Sequence, residues 1–144
     1  MDKRFSSEVP EKLGKYRNGL VLNYAIRESF EEEILHEWKN GGRMEMEGEE
    51  PTADFRSQHK YTYYTLNIPM GQWTYGGVIN AIISDAYRPD VMEATINNYL
   101  LDPTDEDNAK YFSEMQAWRR YAKDIAKQVV KNYQDYERVS TIII

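Results

Sequence analysis

The chain has 144 residues, 41% of them hydrophobic and 13% aromatic, enough for one folded domain with a core. Its 18 Lys+Arg and 24 Asp+Glu give a net charge of −6, which argues against phosphate-backbone binding over the whole surface. The absence of cysteine excludes disulfides, zinc ribbons, thiolate redox chemistry and cysteine nucleophiles.

Charge falls into blocks of +2 (residues 1–26), −5 (27–60), −6 (61–107) and +3 (108–144), an acidic middle between basic ends. Met1-Asp2-Lys3-Arg4-Phe5 has no apolar run behind its charges, so no secretory signal is expected. No stretch approaches the ~18 apolar residues of a membrane-spanning helix, and no membrane contact is expected.

The first element is expected in Leu20–Lys39. Ile26, Phe30, Ile34 and Trp38 recur every four residues while Glu31, Glu32, Glu33 and Glu37 turn outward, an amphipathic helix ended by Asn40-Gly41-Gly42. Leu20-Val21-Leu22 reads either as its first turn or as a short strand before a helix capped at Ser29, with Glu32 in the capping-box position. Residues 41–58, with three glycines, Pro51 and a run of acids, read as an exposed acidic loop.

A strand follows in Tyr61–Ile68, with Tyr64, Leu66 and Ile68 on one face. Its partner is expected in Leu20–Tyr24, in the tail Val139–Ile144 or in another chain. Tyr75–Tyr87 and Asp90–Leu101 then read as two short helices forming a hairpin, the second burying Met92, Ile96, Tyr99 and Leu100. Asp102-Pro103-Thr104 opens a long last helix. Along it Tyr111, Met115, Trp118, Ala122, Ile125 and Val129 alternate 4-3-4-3-4, a heptad seam. The expected fold is thus mainly α with a minor β element, one domain over residues 1–144 built on a helical hairpin and a long C-terminal helix.

Chemistry-bearing patterns are few. Glu32 and His36 stand at i, i+4, but a zincin needs a second histidine at that spacing, so a solvated acidic face is the simpler reading. His59 reads as an exposed loop residue. Gly71–Val78 has two glycines five apart as in a phosphate loop, yet Gly77 and Val78 occupy the places of Lys and Ser/Thr. It reads instead as a tight turn into a helix, where glycine lets another backbone approach. No catalytic, cofactor-binding or metal-binding residue is nominated, and no cofactor is implied.

Candidate contact residues lie at the C-terminal end. Arg120, Lys123, Lys127 and Lys131 recur at 3, 4 and 4 opposite the seam, beside Trp118. This basic stripe suits a solvated helix face, a contact with the acidic 27–60 block of another subunit, or nucleic acid. Ile142, Ile143 and Ile144 form an apolar end expected to pair as a strand or fill a groove.

The segment Arg88-Pro89-Asp90-Val91-Met92-Glu93-Ala94-Thr95-Ile96-Asn97-Asn98-Tyr99-Leu100, with Met115-Gln116-Ala117-Trp118-Arg119, resembles small proteins encoded in structural modules of tailed bacteriophages and prophages. The resemblance covers about a third of the chain and carries no functional residues with it. It implies a non-enzymatic particle component that works through contacts with other protein subunits, as a homo- or hetero-oligomer, located in the virion or the bacterial cytoplasm. The alternative expectation is a small nucleic-acid-associated regulatory protein using the basic stripe.

Overall fold

The computed structural model describes residues 1–40 and 50–143, except for the side chains of Tyr16 and of 132–143. Its contacts divide the chain into two compact units, Met1–Asn67 and Ile68–Ile144.

The first unit is built on strands β1 (Asp2–Ser6), β2 (Leu13–Tyr16), β3 (Gly19–Glu28) and β4 (Tyr61–Pro69), in the sheet order β1-β4-β3-β2. Helices α1 (Glu31–Lys39) and α2 (Ala53–Gln58) lie between β3 and β4 in sequence. Leu20, Leu22 and Tyr24 alternate as the buried residues of β3, the period-2 signature of a half-buried strand. Arg17-Asn18 turns β2 back into β3, with Arg17 in the left-handed region at φ 50° and Tyr16 opposite Gly19.

β1 runs antiparallel to β4 and sets Phe5 opposite Thr62, both buried. The Thr62 hydroxyl donates to the Arg4 carbonyl at 3.0 Å, so the one buried polar side chain of this pair is satisfied. Asn23 meets Thr65 (2.7 Å) and Ser29 N–H meets the Lys60 carbonyl (2.7 Å), a reversed order that makes β3 and β4 antiparallel as well. Phe5 and Ile34 form a buried cluster with Trp38 and Phe55 packed against it.

Four expectations are corrected here, while the strand reading of Leu20-Val21-Leu22 holds. The chain is α+β, with a four-stranded sheet in place of a minor β element. Leu20–Glu28 is strand, and the helix begins only at Glu31. That helix is capped one residue later than expected, at Phe30, where the Glu33 carboxylate accepts from the Phe30 N–H at 3.4 Å. Ser29 is not the cap because its hydroxyl donates to the His59 carbonyl at 2.7 Å. Of the expected acidic loop, residues 41–49 lie outside the described residues, Ala53–Gln58 is helix α2, and Pro51 is fully buried.

The second unit holds α3 (Tyr75–Ala86), α4 (Pro89–Leu101) and α5 (Glu106–Ile143), preceded by a 3-10 turn at Met70–Gln72. The expected hairpin is not the organising contact, because α3 and α4 each pack chiefly on α5. α5 has 38 residues and is capped by Asp105, whose carboxylate accepts from the Asn108 N–H at 2.9 Å. Asp102 accepts from Thr104 through both its N–H (3.2 Å) and its hydroxyl (2.7 Å), so Pro103 sits in the connecting turn and not in the first helical turn. The core is Trp73, Val78 and Ile82 with Met115, Ala122, Ala126 and Val129 of α5.

The turn into α3 is a tight one. Thr74 caps the helix by accepting from the Gly77 N–H at 3.0 Å, and a Cβ on Gly77 would run into the Gln72 carbonyl oxygen and sit 2.9 Å from its carbon. Glycine is required at position 77 by that close approach.

Candidate protein-contact surface

Along α5 the seam is divided by depth. Met115, Ala122 and Val129 are buried, Trp118 and Ile125 half-buried, and Tyr111 is 56% exposed. Trp118 bridges elements: its Nε1–H donates to the Ile82 carbonyl of α3 at 3.0 Å, and its ring lies 5.5 Å from that of Tyr121. Such a half-buried indole, with its polar atom engaged, is a framework residue more than a free contact residue.

Arg120, Lys123, Lys127 and Lys131 are all exposed. At about 100° per residue they fall within one quarter of the helix circumference, roughly opposite the buried seam. Among the described residues none of the four is in an ion pair. Neighbouring Arg119 donates to Gln116 at 2.9 Å. The expected strand at the C-terminus is corrected as well: the backbone of residues 139–143 belongs to α5. The side chains of Ile142 and Ile143 are outside the description, and Ile144 lies outside the described residues.

Sequence reasoning missed the most exposed large apolar side chains among the described residues. Leu100, expected inside, is 71% exposed, and Leu101 is 87% exposed, at the C-terminal end of α4. α4 has no buried residue: Met92, Ile96 and Tyr99 are half-buried on one side, and Val91 is exposed on another. Tyr99 stacks on Phe112 of α5 at 4.1 Å, and Asn108 donates to the carbonyls of Asn98 (3.1 Å) and Asp102 (3.3 Å). These bonds fix the leucine end of α4 against the turn of α5 that carries Tyr111.

In the first unit Glu33 is the most strongly perturbed group. Arg27 grips its carboxylate with both terminal nitrogens, one at 3.0 Å from Oε2, while Lys3 donates to Oε1 at 2.8 Å. The Arg27 hydrogen bond, followed by those of Lys3, holds the Glu33 pKa down at about 2 against some burial. This cluster ties β1, β3 and α1 together. His59 stacks on Phe55 at 3.8 Å and is half-buried at the end of α2, deeper than the loop position expected. Among the described residues no group of three or more acidic or histidine side chains is placed to hold a metal ion. No described helix is long and apolar enough to cross a membrane.

Comparison of the chain with known family models, with curated proteins and with solved structures finds no match.

Proposed function

We propose that this protein is a non-enzymatic structural or adaptor subunit that acts through protein–protein contacts in a multi-subunit assembly. The observation that carries the reading is the exposed pair Leu100 and Leu101, at the end of a helix that is tied to α5 by the Tyr99–Phe112 stack. Large apolar side chains fixed in water at one place mark contact sites, and burying each leucine in a partner is worth ~1.5–3 kcal/mol. The resemblance read in the sequence of residues 88–100 and 115–119 to structural-module proteins of tailed phages extends this proposal to a virion component.

The test is solution mass by light scattering over a range of concentrations, for the native chain and for Leu100→Ser combined with Leu101→Ser. A multi-chain mass that the double variant lowers is the expected result. A single-chain mass throughout, with both proteins equally soluble, would overturn the reading.

A further inference from the structure

The outer face of α5 has a pattern of its own. Glu106, Lys110, Ser113, Ala117, Arg120 and Asp124 step along it by 4, 3, 4, 3 and 4, and Lys127 and Lys131 continue the series by 3 and 4. All eight are exposed. Steps of 3 and 4 keep all eight on a single face of the helix, and that face is polar where the inner seam is apolar. Within the second unit no other described element covers it.

The charges on that line are antisymmetric about its middle. We infer that the outer face of α5 is the docking surface for α5 of a second copy, antiparallel and related by a twofold axis at Ala117. The inference rests on the assembly reading above and names its partner.

Turned end for end about Ala117, the line meets its own complement. Lys110 of one copy faces Asp124 of the other, each seven residues from the axis, and Glu106 comes within one residue of Lys127. Arg120 falls opposite Glu114 and next to Ser113, and Lys131 comes within a turn of Asp102 and Asp105. Even the charges that interrupt each half, Lys110 among acids and Asp124 among bases, find opposite partners. A twofold contact must be self-complementary in this way, since each pairing occurs twice. Small side chains at the crossing, Ala117 against Ala117, admit the close axial approach of ~8–10 Å seen between packed helices. A parallel pair would set Glu106 on Glu106 and Lys127 on Lys127.

Exposed ion pairs are individually weak and screened by salt, so they fix register and partner more than they supply affinity. The dimer is therefore expected to loosen as salt rises. The experiment is sedimentation equilibrium at low and at high salt on four full-length chains: native, Lys127→Glu, Glu106→Lys, and both substitutions together. Each single change turns two attractions per dimer into repulsions and should weaken association about tenfold. The double variant has the native net charge and restores both pairs, so its association should return to the native level.

A native dimer whose strength none of the three variants alters would overturn the inference. So would single-chain mass for the native protein at low salt, and so would failure of the double variant to recover. If a multi-chain mass persists in all four chains and only the Leu100→Ser, Leu101→Ser change lowers it, the assembly reading stands and the α5 pairing does not. If every chain has single-chain mass, both fail. Retention on DNA at low salt that Lys127→Glu abolishes, in a protein of single-chain mass, would give this face to nucleic acid instead.

Discussion

Ala25 stands in β3 at φ 54°, in the left-handed region that costs a side-chain-bearing residue about 1 kcal/mol or more relative to glycine. The strain marks where the alternation of Leu20, Leu22 and Tyr24 stops and the strand turns toward Ser29. Ala25→Gly relieves the backbone but loosens the unfolded chain by ~0.4–1 kcal/mol, so a small net gain of about 0.5 kcal/mol is expected in chemical denaturation. Ala25→Val should move the midpoint the other way, by about 1 kcal/mol or more. Equal destabilisation by both substitutions would show that φ at this position is not what limits stability. At Gly77 the sign is not in competition. Any Cβ meets the Gln72 carbonyl, which is backbone and cannot swing aside, so Gly77→Ala should cost about 2–3 kcal/mol. A thermal midpoint within a degree of native would show that the turn before α3 opens without cost.

Among elements, the tie between β1, β3 and α1 is the one that pH reaches. Glu33 ionises in the folded chain at about 2 and in the unfolded chain near the ordinary glutamate value of ~4.3. A folded pKa below the unfolded one stabilises fully above that ordinary value, and the contribution is lost as pH falls toward 2. Its size is about 2 kcal/mol once the half-exposed setting of Arg27 is allowed for. Glu33→Gln should therefore be less stable than native near neutrality and lose less on acidification, which stability measured by urea at pH 6 and pH 3 will show. Parallel pH slopes for the two proteins would remove Glu33 from the acid response. In the second unit Trp118 joins α5 to α3. Trp118→Ala should cost about 2–4 kcal/mol, below the value for a fully buried indole. Trp118→Phe keeps most of the packing and loses the bond to Ile82, costing about 1 kcal/mol. Equal losses for Phe and Ala would put the whole effect in that hydrogen bond.

The same elements show what the sequence made legible. The strand at Tyr61–Pro69, the helix through Ile34 and Trp38, the two short helices and the long last helix could be read because each carries its own period. Ile26 and Phe30 fell into the helical spacing by coincidence: Ile26 is on a strand and Phe30 is 68% exposed at a helix cap. β1 has three charged residues and one core residue, so nothing local marks it, and it is a strand only because β4 supplies its hydrogen bonds. On α5 the basic stripe was visible as four cations, but the complementary line through Glu106, Lys110 and Asp124 emerges only once the exposed face is known.

At the scale of the whole molecule, charge sets what nucleic-acid binding to expect of that face. Neither unit is basic: residues 1–67 hold 10 basic and 13 acidic groups, residues 68–144 hold 8 and 11. Screening confines each charge to about 8 Å at physiological salt, so the local tally matters more than the total. On the stripe, Arg120, Lys123, Lys127 and Lys131 are offset by Asp124, a net of about three charges toward a duplex. Three neutralised phosphates give a salt slope of only about −2.7 and too little attraction for tight binding, which takes about six to ten contacts. Filter binding with single- and double-stranded DNA and RNA at physiological salt should therefore show no retention, and Lys123→Glu with Lys127→Glu should change nothing. Micromolar retention that this double reversal abolishes would mean that the stripe gathers more phosphates than its own charges allow, and the regulatory nucleic-acid reading would replace the structural one.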